Sequence, residues 1–213
     1  MNNSPRENLN HSQASAKKLR SELCAKRRSL SSSFQSRASN AASRQLLKRG
    51  SRSAGAIRRA KSAAIYLPAF GEISPLPLLL PLSKRGVAIY VPVTFGVRMR
   101  FIKLSVSAIK RLRLRRHPLG MPAVAGRGSR SVGQVDLVVV PLVAFDSSGN
   151  RLGMGGGFYD RALAGAKGTL KLGYAYDFQQ VSALRVNPWD VKIDGVVTQN
   201  TMTTFRGFAR LCR

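Results

Sequence analysis

The sequence reads as an α/β protein: a single domain with a mostly parallel central sheet flanked by helices, entered through an N-terminal helical hairpin. Three observations carry this reading. Residues 136–143 form a nearly unbroken Leu/Val run of the kind buried on both faces of a parallel sheet. A glycine loop, a short helical stretch and further apolar strands follow it, which is the element order of an open α/β sheet. Ahead of it lie two amphipathic stretches with helical spacing.

In chain order, residues 1–15 are Ser/Asn-rich and are expected to be a disordered tail before a folded domain at 16–200, with a second tail at 201–213. Ala16, Leu19, Leu23 and Leu30 share one face of a first helix over 16–30. Ser31 to Ser33 then offer an N-cap for a second helix carrying Phe34, Ala38, Ala42 and Leu46 and closed by Gly50. Residues 63–67 read as a short buried strand ended by Pro68. Ser74 and Pro75 signal a helix start, but Pro77 and Pro81 argue against a regular helix beyond its first turn. A second strand at 87–91 is expected to stop at Pro92, and a third lies at 99–104. Residues 105–134 are basic, Gly-rich and weakly patterned, a long loop with a helical turn. After the strand at 136–143 and the glycine loop, a short helix runs to about residue 163, and strands follow at 171–176 and 193–198.

The formal charge is +27, with only 9 acids in 213 residues, so polyanions or anionic small substrates are the natural partners. Between Glu22 and Asp136 the only carboxylate is Glu72; it is a candidate for a specific job or a chance survivor. No long apolar run and no apolar leader is visible, so a cytoplasmic protein without a membrane segment is expected, a presequence in the first residues being the minority alternative. Cys24 and Cys212 lie at opposite ends without metal-ligand spacing, and neither His11 nor His117 sits beside a nucleophile or carboxylate. Catalysis through a covalent nucleophile has almost no raw material.

The loop Arg151-Leu152-Gly153-Met154-Gly155-Gly156-Gly157-Phe158-Tyr159-Asp160 is neither a P-loop nor a dinucleotide fingerprint. Its glycines expose successive backbone N–H groups with no Cβ in the way, and the following helix start points its positive end at the same place, which makes an anion cradle. Arg151 can add a bidentate phosphate contact, and Asp160 can hold a divalent cation that bridges phosphates. A nucleoside triphosphate is the expected ligand; a plain glycine turn with Asp160 as a dipole partner is the alternative.

These residues resemble the signature of the 5-formyltetrahydrofolate cyclo-ligase family, also called methenyltetrahydrofolate synthetases. The resemblance spans about residues 16–200 and includes Lys17-Lys18-Leu19-Arg20, the stretch from Leu67 to Ile73, the stretch from Gly173 to Gln179, and Asn187-Pro188-Trp189-Asp190. It implies ATP-dependent closure of 5-formyltetrahydrofolate to 5,10-methenyltetrahydrofolate with release of ADP and phosphate. In that chemistry ATP phosphorylates the formyl oxygen, folate N10 attacks the activated carbon, and phosphate departs without any enzyme nucleophile. Phosphoryl transfer of this kind runs on positioning and charge neutralisation.

Carried across residue by residue, the resemblance implies that Lys17, Lys18, Arg20, Arg151, Leu152, Gly153, Met154, Gly155, Gly156, Gly157, Phe158 and Tyr159 bind ATP. Leu67 and Glu72, with Gly155, Gly156, Gly157 and Tyr159, match substrate-binding positions, Glu72 reading a donor edge of the pterin. Asp160 and Asp190 match positions that hold Mg2+. Trp189 reads as a packing residue. The chain departs from the family at Ala16, where a lysine is usual, at Gly120-Met121-Pro122-Ala123-Val124, which lacks a polar residue and a second proline, and at Phe158, usually Tyr. A monomer is expected, and a polyglutamate tail on the folate is a natural acidic ligand for the basic surface. The competing reading is a protein on the same scaffold that binds nucleotide or RNA through its basic faces without folate chemistry, although few aromatics interleave with those charges.

Overall fold

The computed structural model describes residues 5–48, 57, 59–105 and 129–205. Helix α1 (Pro5–Arg28) begins inside the stretch expected to be a tail. Helix α2 (Ser32–Leu47) begins where its cap signal lies: Ser31 Oγ accepts the Phe34 N–H at 3.3 Å, satisfying a donor that has no partner within the helix. Gly50 falls outside the described residues, and the cap of α2 is Lys48. Ala38, Ala42 and Leu46, four residues apart, bury one stripe of α2 in the core.

One sheet contains β1 (Ser62–Ala64), β2 (Ala88–Phe95), β3 (Arg98–Lys103), β4 (Ser129–Arg130), β5 (Leu137–Pro141), β8 (Leu170–Tyr174), β9 (Gly195–Val197) and β10 (Met202–Thr204). A separate ribbon pairs β6 (Ala144–Phe145) with β7 (Arg151–Leu152). The strand order is β10-β9-β8-β5-β1-β2-β3-β4, parallel from β9 to β2 and antiparallel at both edges. This is the mostly parallel sheet expected. Along β5, Leu137 and Val139 enter one core cluster and Val138 and Val140 the other, so both faces are covered and the apolar run need not alternate. The first cluster takes in α2 and α3 (Leu79–Lys84); the second takes in α4 (Phe158–Leu163).

Three expectations are corrected. The helix after Ser74 does continue: a 3-10 turn at Leu76–Leu78 leads into α3, and Pro81 falls in the first turn of α3, where a backbone N–H has no helical acceptor to lose. Strand β2 runs through Pro92. Its Ile89 carbonyl accepts the Leu104 N–H and its Tyr90 carbonyl the Ile65 N–H, so alternate residues face opposite neighbours. Pro92, two on from Tyr90, therefore faces the side where β1 has already ended, and no ladder bond is lost. Finally, residues 202–204 of the expected C-terminal tail form the edge strand β10, antiparallel to β9. The middle of the weakly patterned segment, 106–128, lies outside the described residues, Ala123 included. Among the described residues no helix is long and apolar enough to cross a membrane.

From β1 the chain moves outward to β2, then returns to place β5 on the other side of β1. The reversal of direction lies between β1 and β5, and ligands of open α/β sheets bind beyond the carboxyl ends of strands at such a point. Asp146 shapes the turn that leaves it. This buried carboxylate accepts N–H bonds from Ser148 (2.9 Å), Asn150 (3.0 Å) and Leu184 (3.0 Å) and the Asn150 side-chain amide (2.8 Å). Burial alone pushes its carboxyl up, but the hydrogen bonds from Asn150, Leu184 and Ser148 outweigh it and hold it below the usual aspartate range.

A folded pKa below the unfolded one contributes stability that is present above the unfolded value, about 3.9, and lost as pH falls through the folded value. Asp146→Asn puts an amide donor against two of these donors and is expected to cost about 2–3 kcal/mol near neutral pH. Urea unfolding should show the gap to wild type constant above about pH 5 and narrowing below about pH 4; a gap that does not narrow in acid would argue that Asp146 acts by shape alone.

Candidate active site

Two loops meet at the switch point. The first leaves β1 and carries Leu67, which is buried in the core, and Glu72. Gly71 makes the approach possible: it has φ +74, and a Cβ there would sit 2.7 Å from the Arg27 carbonyl oxygen of α1. Phe70 beside it also has a positive φ of 51 and is 52% exposed, an outlier of the kind that clusters at ligand sites. The Glu72 carboxylate accepts the Ala69 N–H at 3.1 Å and lies 3.9 Å from the Arg27 guanidinium. Burial raises its pKa, and the Ala69 N–H and Arg27 offset part of that. A cleft of about 800 Å³ opens along this loop against α2, lined by Gln35, Ser39, Asn40, Phe70 and Glu72 among others.

The second loop is the glycine loop after β7. Arg20 Nε donates to the Gly153 carbonyl at 2.8 Å and Arg161 Nη2 to the Gly156 carbonyl at 2.9 Å, so two cations hold its acceptors. Among the described residues, none of the N–H groups from Gly153 to Gly157 is taken by a protein acceptor. Met154, Gly155 and Gly156 are exposed. A run of free, exposed N–H groups flanked by arginines is an anion nest. The following helix, α4, is six residues long and starts from Gly157 at φ 63, so the nest and the cations carry the anion site with little help from a helix dipole.

Arg151 and Asp160, placed on opposite sides of the loop, form a 2.6 Å ion pair in which the Arg151 side chain is 3% and the Asp160 side chain 23% exposed. Asp160 Oδ1 also accepts the Val191 N–H at 3.2 Å, which draws the Asp190 turn against α4. In that turn Asp190 Oδ2 accepts both the Asn187 N–H (2.7 Å) and its side-chain amide (3.2 Å). Each of the two carboxylates thus keeps one oxygen that no described protein donor uses. Trp189 is 68% exposed and does not pack in the core, contrary to expectation. Tyr159 is half-buried between the loops; its hydroxyl is pushed up by burial and by Glu72, with Arg151 opposing. Leu152 packs against the cluster of Leu23 and Cys24, and Phe158 carries the Arg161 guanidinium 5.1 Å over its ring.

The first helix contributes unequally. Arg20 reaches the loop. Lys17, three residues before it, shares its face, whereas Lys18, two before, turns to another side; both lysines are exposed. Ala16, four before Arg20, is on the same face again.

One residue between the two loops was not foreseen. Arg27 is completely buried, with Nη1 3.2 Å from the Leu142 carbonyl and Nη2 3.5 Å from Cys24 Sγ and 3.9 Å from Met154 Sδ; its Nε has no partner among the described residues. In sequence it hides between Lys26 and Arg28. The available signal was its position, four residues after Leu23 and three after Cys24, which puts a cation on the apolar stripe. Tyr176, stacked on Phe178 with centroids 5.4 Å apart, is likewise buried, its hydroxyl without a partner among the described residues.

A family model described as the 5-formyltetrahydrofolate cyclo-ligase family matches residues 12–199, nearly the whole described chain and both loops. The chain belongs to the 5-formyltetrahydrofolate cyclo-ligase family. Among relatives of this cyclo-ligase family member, the 5-formyltetrahydrofolate cyclo-ligase of Escherichia coli (strain K12) is 36% identical over 142 residues, covering 65% of this chain and 78% of the relative. The solution structure of Aquifex aeolicus 5,10-methenyltetrahydrofolate synthetase superposes with a TM-score of 0.73 at 30% identity, covering 90% of this chain and 93% of the other. A Mycoplasma pneumoniae 5,10-methenyltetrahydrofolate synthetase shares the fold, with a TM-score of 0.68 at 24% identity, covering 86% and 98%. The matched span includes both the Glu72 loop and the glycine loop.

Proposed function

We propose that this chain catalyses the ATP-dependent cyclisation of 5-formyltetrahydrofolate to 5,10-methenyltetrahydrofolate, releasing ADP and phosphate. The observation that carries the proposal is the run of N–H groups from Gly153 to Gly157 that no described protein acceptor takes, with the buried Glu72 linked to the same loop through Arg27. A phosphate chain suits the first and a pterin edge with N–H donors the second. In this reading the glycine loop, Arg20 and Arg151 bind the phosphates, with Lys17 beside them, and Glu72, Leu67 and Tyr159 orient the folate. The γ-phosphoryl group passes to the formyl oxygen, N10 forms the new C–N bond, and the C–O bond to phosphate breaks. Protein groups position the reactants and neutralise charge, and none is required to act as a nucleophile.

Asp160 and Asp190 would hold Mg2+. Their two free oxygens, without a third protein ligand nearby among the described residues, suit an ion that takes one or two carboxylates and completes its shell with water and phosphate. When bound, Mg2+ would neutralise the charge on the transferred phosphate. A cytoplasmic monomer acting on folates, with the exposed Arg98, Arg100, Lys103 and Arg130 available to an acidic polyglutamate tail, belongs to the same proposal.

The deciding experiment mixes the protein with ATP, Mg2+ and 5-formyltetrahydrofolate. The near-ultraviolet absorbance of the methenyl product is expected to rise in proportion to enzyme and to require all three; no rise at high enzyme concentration would overturn the reading.

A further inference from the structure

We propose that Arg27 is a positioning residue for the folate: from inside α1 it holds Glu72 as an oriented carboxylate on the substrate wall and ties that wall to the glycine loop through Met154. This rests on the folate reading of Glu72 above.

Arg27 is poorly matched to its surroundings. A guanidinium has five donors in a rigid fork. Here one reaches a carbonyl, Leu142, at 3.2 Å, two sulfurs lie at 3.5 and 3.9 Å, and Nε has no partner among the described residues, in a residue with no exposure at all. Replacing both members of such a buried pair by apolar groups of similar volume is often neutral or stabilising, so stability alone does not call for Arg27 and Glu72 together. Glu72, at 3.9 Å, is the one carboxylate within ion-pair reach among the described residues.

Position adds a second argument. Leu142 immediately follows β5, and Glu72 lies on the loop after β1, so Arg27 sits at the switch point and touches both of its flanks. Its Nη2 contact to Met154 reaches the glycine loop. The Glu72 loop is pressed onto the helix at Arg27 itself, because Gly71 packs on the Arg27 carbonyl.

The groups facing Glu72 fix the direction of the effect. Arg27 approaches from α1, Tyr66 from the end of β1, Tyr159 from α4 and Tyr176 from beyond β8. The Tyr66 hydroxyl is spent on the Ile73 carbonyl, and the three phenols are neutral, so Arg27 is the cation that opposes the burial of Glu72. Without it Glu72 takes up a proton more readily, and a protonated carboxyl offers a donor where the folate needs an acceptor. Raising the pH restores the carboxylate.

The test compares wild type, R27M, R27K, E72Q and the two double variants R27M/E72Q and R27K/E72Q in the methenyl assay, with KM for folate and for ATP measured from pH 6 to about pH 9, a range that spans neutral titration on both sides. In R27M the folate KM is expected to rise about tenfold at neutral pH, the loss typical of a charged acceptor at a ligand contact, with the ATP KM within about twofold. The defect should shrink as pH rises. E72Q should show the folate defect without that pH dependence, and adding R27M to it should change little, as coupled residues require. Should R27M fail to fold, R27K decides: a raised folate KM that disappears as a separate effect in R27K/E72Q supports the proposal. An unchanged folate KM, equal losses for both substrates, or additive effects with E72Q overturns it while leaving wild-type turnover, and hence the functional reading, intact. A wild-type protein without turnover overturns both.

Discussion

Asp160→Asn is expected to lower kcat/KM for methenyl formation by about 10²–10³, the range seen when one preorganised charge or donor is removed from a transition-state site. Two physical losses combine. A carboxylate that would hold Mg2+ is gone, and Arg151 loses a 2.6 Å partner although its side chain is only 3% exposed and its Nε already lacks a partner among the described residues. Removing one member of a fully buried pair costs about 3–5 kcal/mol; with Asp160 23% exposed, about 1–3 kcal/mol of stability is the expected loss. Asp190→Asn separates the two contributions. Among the described residues Asp190 bonds only within its own turn, to Asn187, so its replacement should reduce activity and raise the Mg2+ concentration needed for half-maximal rate while leaving the melting temperature nearly unchanged. Steady-state kinetics across a Mg2+ titration, paired with thermal melts, reads both effects. Activity of D160N within threefold of wild type would remove Asp160 from the metal and phosphate machinery.

The second large effect is expected at Gly71. Gly71→Ala meets two obstacles: a positive φ of 74, and a Cβ 2.7 Å from the backbone oxygen of Arg27, which cannot swing aside as a side chain can. Left-handed backbone costs an alanine about 1–2 kcal/mol, and the overpacking adds to it, for a total of about 2–4 kcal/mol. Gly86→Ala is the matched control, because Gly86 has φ +78 with no described atom within 4 Å of an added Cβ, so it should show the backbone strain alone. The difference between the two variants in urea unfolding isolates the contact. Because relief at Gly71 must lift the loop from α1, G71A should also raise the folate KM by moving Glu72 away from Arg27, whereas G86A should leave kinetics unchanged. Equal stability losses in G71A and G86A would show that the close approach contributes nothing.

The carboxylates show how far scarcity of a residue type can be trusted as a signal. Every acid from Glu72 onward accepts a hydrogen bond in the folded chain. Only some belong to the site. Asp136 accepts the N–H groups of Lys61 and Ser62 and so pins the start of β1 beside β5, and Asp194 pairs with Lys171 at 3.2 Å and accepts its N–H. An acid in a basic chain marks a place where something must be held, but the sequence does not say whether that is a ligand or the backbone.

Local chemistry makes the main features legible in the sequence: the cap at Ser31, the doubly buried strand β5, the parallel order of elements, and the glycine loop with Arg151 and Asp160 at its ends. Each depends on a few neighbouring residues, because caps, strand burial and exposed N–H groups are set by side chains within a turn or two. Long-range packing decided the rest. Strand β2 passes Pro92 because the neighbouring strand has already ended, a fact about β1 and not about β2. The edge strand β10 exists because β9 offers it a ladder. Arg27, one cation among three in a row, becomes the floor beneath Glu72 only when α1, the β1 loop and the end of β5 converge, since burial and ion pairing are properties of the space between elements and not of any one of them.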